Sequence, residues 1–147
     1  MKNILVVVDC CEATTIASPI IERSLEFASA FSSKLWVLHV VPHSHQTPFN
    51  VDSKILRREA ADEFRHEHDF LHHLAQCLRD RDIDATALLV QGAVINTILK
   101  ESERLDIDLI VLGCHRHSLL YGALMDVAEE GLLSKCAYPI MFVPMEV

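Results

Sequence analysis

The segment VLGCHRHSLLYGALMDV, residues 111–127, has the layout of a phosphate-binding loop. An apolar run ends in Gly113, a polar loop follows, and a helix is predicted after the loop. In such loops, glycines let backbone N–H groups close on phosphate oxygens, and the helix N-terminus favours the anion. Within this segment, Gly113 and Gly122 are the residues small enough for that approach. The segment is therefore a nucleotide site, the remainder of one, or an ordinary turn between a strand and a helix.

Histidines are numerous for a chain of this length, with nine in total, and four of them fall in the stretch RHEHDFLHH. Helical spacing places His66, Asp69 and His73 on one outward face. His68 and His72 have the i, i+4 spacing that helical zinc ligands use. No cysteine or glutamate completes a convincing ligand set. A solvated polar face is therefore the favoured interpretation, and adventitious metal binding is the alternative.

The cysteine pattern argues against a disulfide framework or a structural zinc site. Five cysteines give an odd number and no CxxC motif, and reduced thiols are typical of a cytosolic protein. Adjacent Cys10 and Cys11 could respond to oxidation, but nothing nearby clearly activates a thiolate, which favours small residues in a turn. No catalytic set is recognisable, because Ser18, Ser24 and Ser118 lack the G-x-S-x-G context and no carboxylates pair as acid and base.

Charge and length exclude several classes of protein. The formal charge of −8 and the pI near 5.5 argue against nucleic-acid binding, which needs a basic face. No apolar run approaches the roughly 20 residues that span a bilayer, and the apolar run at the start is too short for a signal peptide. The 147 residues are therefore expected to form one cytoplasmic domain, 1–147, with no membrane or nucleic-acid partner.

Hydrophobic periodicity predicts strands that alternate with helices. Strands are predicted at residues 3–9, 34–41, 84–90, 108–113 and 138–144, and helices at residues 14–31, 53–81, 93–105 and 120–134. This order implies right-handed crossovers and a doubly wound parallel sheet with helices on both faces. Ligands of such sheets bind at the carboxyl ends of the strands. Asp9, Val40, Gly92 and Gly113 lie at predicted strand ends.

Each predicted helix carries an apolar stripe for the core. The stripes are Ala13, Ala17, Ile20, Ile21, Ala28 and Phe31 in the first helix; Leu56, Ala60, Phe64, Leu71, Leu74, Ala75 and Leu78 in the second; Val94, Ile98 and Leu105 in the third; and Leu124, Ala128 and Leu132 in the fourth. Thr14 and Thr15 are candidate caps of the first helix. Glu67 falls within the second stripe, where a carboxylate requires a partner.

Several segments resemble, in order and spacing, the universal stress protein family. ILVVVD resembles the family's first strand, which ends in an aspartate, and KLWVLHVV resembles the second strand with its LHV triplet. VQGAVINTILKESERLDIDLIVLG resembles the glycine after the third strand, the next helix and the fourth strand, and YPIMFVP resembles the last strand. The resemblance implies a flavodoxin-like fold with five parallel strands in the order 3-2-1-4-5.

ATP-binding members of this family carry the motif G-x2-G-x9-G-S/T after the fourth strand. Here Gly113 supplies the first glycine, but Arg116, Asp126 and Val127 occupy the other three positions. Asp126 would bring a carboxylate to the phosphates, and like charges about 4 Å apart repel by roughly 1 kcal/mol even in water. Val127 has no donor, and Arg116 could pair with a phosphate or with Asp126. The chain therefore resembles the branch that lacks the motif and dimerises, and no cofactor is expected.

ATP with Mg²⁺ is the alternative, if a shifted loop lets Gly122 take a glycine position. The resemblance then implies that Asp9 lies beside the base and ribose and that Val40 lies beside the adenine. From the residues alone, Asp9 is equally a turn carboxylate and Val40 an ordinary core valine.

The resemblance implies a non-enzymatic stress-response or regulatory protein that acts as a homodimer and has an unidentified protein partner. In the implied strand order, the last strand lies at a sheet edge, where unpaired backbone groups are open to another chain. Ile140, Met141, Phe142 and Val143 form an uncharged apolar run there, so these residues are the expected dimer interface. The alternatives are an ATP-binding switch or slow ATPase with an altered phosphate loop, and a metal- or redox-responsive binder.

Overall fold

A computed structural model describes residues 1–8, 17–41, 53–114 and 132–144. Its strands are β1 (Asn3–Val7), β2 (Lys34–Val41), β3 (Ala85–Gln91), β4 (Leu109–Cys114) and β5 (Ile140–Pro144), and its helices are α1 (Pro19–Phe31), α2 (Ser53–Arg79), α3 (Val94–Arg104) and α4 (Leu132–Lys135). The strands form one sheet in the order β3-β2-β1-β4-β5, and each neighbouring pair is parallel. The predicted fold is confirmed. Within these residues, no helix is long and apolar enough to cross a membrane.

The sheet has a hydrophobic core on each side, because alternate side chains of a strand point to opposite faces. On one face, Ile4 and Val6 of β1 pack with the buried residues of α1 and α2. On the other face, Leu5 and Val7 pack with α3 and α4. Uninterrupted aliphatic strands of this kind suit a parallel sheet that is covered on both sides.

Helix α1 begins later than the apolar period predicted. Its N-cap is Ser18, with extended backbone (φ −65°, ψ 141°), and Pro19 is the first helical residue. Proline is favoured there because its missing N–H has no intrahelical partner in any case. The predicted helix began at residue 14, but residues 17 and 18 are not helical. Ala17, predicted to be buried, is exposed. Thr14 and Thr15 lie outside the described residues.

Most of the predicted helix stripes are confirmed. The buried members are Ile20, Ile21, Ala28, Leu71, Leu74, Ala75, Leu78, Ile98 and Leu132, and Val94 and Leu105 are partly buried against the same core. Phe31 and Phe64 are wrong predictions, since they are 52% and 42% exposed. Phe31 is the last residue of α1 and stacks on Phe27 instead of entering the core. The side chains of Ala13, Leu56, Ala60, Leu124 and Ala128 lie outside the described part of the chain.

A carboxylate joins the amino ends of β1 and β4. Asp108 Oδ2 accepts the backbone N–H groups of Lys2, at 2.7 Å, and Asn3, at 3.0 Å. These bonds, that of Asn3 foremost, hold the pKa of the Asp108 carboxyl below its ordinary value because they stabilise its charged form.

Candidate functional site: the carboxyl edge of the sheet

The carboxyl ends of β1, β2 and β4 meet at one edge of the sheet, because these strands are parallel neighbours. Val40 lies one residue before the end of β2, pairs with Val90 and is only 6% exposed. Gly113 lies one residue before the end of β4 and pairs with Val143. Two of the residues predicted to contact a nucleotide, Val40 and Gly113, thus lie at the edge where doubly wound sheets bind ligands. The other predicted nucleotide residues, Asp9, Arg116, Asp126 and Val127, lie outside the described residues.

Gly92 sets how closely α3 approaches this edge. Its backbone N–H donates to the Val41 carbonyl at 2.9 Å, which continues the pairing of β3 with β2. A Cβ atom at Gly92 would lie 2.7 Å from Oγ1 of Thr97, a buried residue in the first turn of α3. The sequence marked Gly92 only as a strand end. Its need for glycine comes from Thr97, and nothing in the sequence pattern identified that residue.

A largely buried acid–histidine pair lies beside the same edge. His39, on β2, directs Nδ1 to the Val8 carbonyl at 3.0 Å and Nε2 to Glu67 Oε2 of α2 at 3.5 Å. The two side chains are 8% and 21% exposed. The sequence predicted that Glu67 needs a partner, and the structure supplies His39. The sequence did not identify His39, because it reads as one polar residue in an apolar strand.

The predicted metal candidates His66, Asp69 and His73, here called the histidine face, are all exposed on α2. The structure does not gather them around one point. Asp69 Oδ1 lies 3.6 Å from Nδ1 of His68, its chain neighbour. In the described part of the chain, no group of three or more His, Cys, Asp or Glu side chains is arranged to hold a metal ion.

Two pairs of side chains at i, i+4 spacing lie on the same helix. The rings of His68 and His72 have centroids 4.1 Å apart. His73 Nε2 lies 3.7 Å from Cys77 Sγ, a contact that the sequence did not predict. Each pair offers two donors, short of the four that a structural zinc site uses.

β5 is an edge strand, since its one neighbour in the described sheet is β4. Ile140, Met141 and Phe142 are each partly exposed, whereas Val143 is 5% exposed and belongs to the core on the α1 and α2 side. The Pro139 carbonyl accepts the N–H of Ile110 in β4 at 2.9 Å.

A parallel sheet in the order 3-2-1-4-5 with helices on both faces defines a flavodoxin-like protein. The sequence model of the universal stress protein family matches residues 1–144, so the chain belongs to the universal stress protein family.

Solved structures have the same fold over nearly their whole length. A universal stress family protein from Burkholderia pseudomallei is 24% identical, with a TM-score of 0.69 over 97% of this chain and 96% of that one. Universal stress protein UspA from Lactobacillus plantarum is 20% identical, with a TM-score of 0.69 and 97% of each chain covered. The universal stress protein of Archaeoglobus fulgidus, solved with dAMP, is 18% identical, with a TM-score of 0.62 over 97% and 98%. No curated protein sequence matches.

Proposed function

We propose that this chain is a cytoplasmic regulatory protein of the stress response, which acts by binding rather than by catalysis and as a homodimer joined along β5. Family membership supports the stress role. The observation that carries the proposal is the free edge of β5, where three apolar side chains are still partly exposed. Antiparallel pairing of two copies would close that edge and avoid open-ended assembly.

The direction of the backbone groups along β5 identifies the residues that can pair with a second copy. The Pro139 carbonyl faces β4, and alternate residues of a strand direct their N–H and C=O groups to opposite sides. Ile140 and Phe142 therefore direct their backbone groups to the free edge, while Met141 and Val143 direct theirs to β4.

A proline at Phe142 tests this interface without removing a bond to β4. Each lost edge hydrogen bond weakens association by about 0.5–1.5 kcal/mol, and two-fold symmetry doubles the loss. The dimer dissociation constant should therefore rise by about 5- to 150-fold. Phe142→Ala is the matched control, since it truncates the same side chain but keeps the N–H group.

Light scattering at micromolar concentration measures the outcome. We expect a dimer mass for the unmodified chain and for Phe142→Ala, and for Phe142→Pro a mean mass shifted toward the monomer, as a dissociation constant raised about 5- to 150-fold requires. Ile140→Lys, which puts a charge at the edge, should also give a monomer. A charge at Val143 is a poorer test because that side chain is buried within the subunit. A monomeric unmodified chain, or a dimer that tolerates both Phe142→Pro and Ile140→Lys, contradicts the interface.

A second candidate function is the binding of a nucleoside monophosphate. The relative from Archaeoglobus fulgidus was solved with dAMP, and Val40 and Gly113 lie at the carboxyl edge, where doubly wound sheets generally bind ligands. The replacements Asp126 and Val127 act against a triphosphate, but a monophosphate carries less charge and needs fewer donors.

Thermal unfolding with dAMP, cAMP or ATP and Mg²⁺ separates the candidates. A ligand at 100 times its Kd stabilises a protein by about 2.7 kcal/mol, which is visible as a shift in Tm. Under the first proposal, none of the three raises Tm at millimolar concentration. A shift with the monophosphates alone favours the second candidate, and a shift with ATP contradicts the altered-loop argument.

A further inference from the structure

We propose that Glu67, His39 and the Val8 carbonyl form a proton-sharing relay through which helix α2 positions the carboxyl end of β1. The first link is His39 Nδ1, which lies 3.0 Å from the Val8 carbonyl oxygen. A carbonyl oxygen can only accept, so Nδ1 carries the hydrogen. His39 Nε2 then faces α2 either as a bare acceptor or as a second N–H group.

The second link is the contact of His39 Nε2 with Glu67. Glu67 Oε2 lies 3.5 Å from Nε2, and this buried oxygen has no hydrogen-bond partner among the described residues. Two bare lone pairs at this position would repel each other, whereas one proton between them satisfies both.

The residues around the pair are apolar, which raises the energetic importance of the proton between Glu67 and His39. His39 lies beside Leu89 on β3, and Glu67 lies one helical turn before the buried Leu71. In such apolar surroundings a satisfied hydrogen bond is stronger and an unsatisfied polar group costs more than in water. The neighbouring charged residues of α2, such as Glu63 and Arg65, are exposed.

The relay ends at Val8, which follows β1 at the carboxyl edge of the sheet, where the candidate site lies. The Val8 N–H donates to the Leu38 carbonyl at 2.9 Å, so Val8 is held at both its N–H and its C=O, and Asp9 follows it in the chain. A hydrogen bond from an ionised donor is roughly twice as strong as one from a neutral group, so a proton placed on Nε2 strengthens the bond from Nδ1 to the Val8 carbonyl. Glu67 therefore acts on the strand end through His39, as a positioning residue. This inference goes beyond the proposed function and does not depend on whether a nucleotide binds.

Three variants of the full-length chain test the relay. Glu67→Leu removes the acid but suits the apolar stripe, so the chain should fold. Glu67→Gln keeps a side-chain N–H that can donate to Nε2 but brings no shared proton, so it separates the satisfaction of Nε2 from proton sharing. Glu63→Leu is the matched control, since it removes an exposed carboxylate one turn earlier on the same helix.

Amide hydrogen exchange followed by NMR is the first readout. In Glu67→Leu, the Val8 amide should exchange about fivefold faster, while the Leu5 amide in the middle of β1 should keep its rate. In Glu63→Leu, both rates should stay within about twofold of the unmodified chain. In Glu67→Gln, the Val8 rate should rise by less than in Glu67→Leu, because Nε2 keeps a donor but the shared proton is lost. A Val8 rate unchanged by Glu67→Leu overturns the relay. Equal acceleration of Leu5 and Val8 also overturns it, because that result shows general destabilisation.

The imidazole proton is the second readout, and a purely structural role would not alter it. The unmodified chain should show a low-field proton signal correlated with His39 Nε2 or with the carboxyl group facing it. Glu67→Leu should lose this signal, and Glu63→Leu should keep it. Absence of the signal from the unmodified chain, or its persistence in Glu67→Leu, contradicts a shared proton.

Discussion

Gly92→Ala should destabilise the protein through one contact. The added Cβ would lie 2.7 Å from Thr97 Oγ1, closer than van der Waals contact allows. None of the described glycines has a positive φ, so the Gly92 backbone suits alanine. Thr97 is 8% exposed in the first turn of α3, and a short, β-branched side chain in a helix has few rotamers for relief.

The size of the effect follows from two opposing terms. Overpacking of a tight site costs typically about 1–3 kcal/mol, whereas alanine restricts the unfolded chain and returns about 0.4–1 kcal/mol. With central values of about 2 and 0.7, the free energy of unfolding falls by about 1.3 kcal/mol. For a chain of 147 residues, that loss lowers Tm by about 4 °C.

A double-mutant cycle with Thr97→Ala identifies the cause. Thr97→Ala removes Oγ1, so Gly92→Ala in that background should cost nothing or stabilise slightly. Urea unfolding of the four proteins measures the coupling, expected at about 1–2 kcal/mol for residues in direct contact. If Gly92→Ala is equally destabilising with Thr97 and with alanine at that position, the contact with Oγ1 is not the cause.

Two further predictions concern Asp108 and the histidine face. The folded-state pKa of Asp108 is lowered, so its stabilisation is fully present above the unfolded pKa of about 3.9 and is lost as pH falls through the folded pKa. Asp108→Asn should therefore be less stable than the unmodified chain at neutral pH and equally stable in strong acid; a pH-independent difference in urea unfolding contradicts this. The histidine face should bind zinc weakly, if at all; stoichiometric zinc that survives dialysis against a mild chelator and is lost in His73→Ala would refute it.

The strands were predictable from sequence because a parallel sheet buries both faces of each strand. The run at residues 34–41 gave both ends of β2 correctly, since β2 is aliphatic except at Lys34, Trp36 and His39. The ends of the helices were harder to predict, because the apolar periodicity of the sequence can continue beyond the residue at which a helix begins or ends. Pro19 was the local signal for the start of α1, and the prediction followed the apolar period instead.

The sequence predicted where the candidate site lies in the fold, but it did not predict which side chains contact each other there. Strand ends identified Val40, Gly92 and Gly113, because parallel order alone places them at one edge. His39 and Glu67 are 28 positions apart in sequence, and only the register of α2 on the sheet brings them together. The apolar periodicity of α2 showed that Glu67 needs a partner. Periodicity does not show which strand residue Glu67 contacts.

The two edges of the sheet differ in a way that bears on the proposed dimer. The Asp84 carbonyl accepts the Leu35 N–H, so the next carbonyl, that of Ala85, faces outward from β3. Arg79 of α2 covers it, since its Nη1 donates to that oxygen at 2.8 Å. Along β5, no described side chain donates to the outward carbonyls. A charged side chain across an edge discourages pairing, so β5 is the edge better suited to a second copy of the chain.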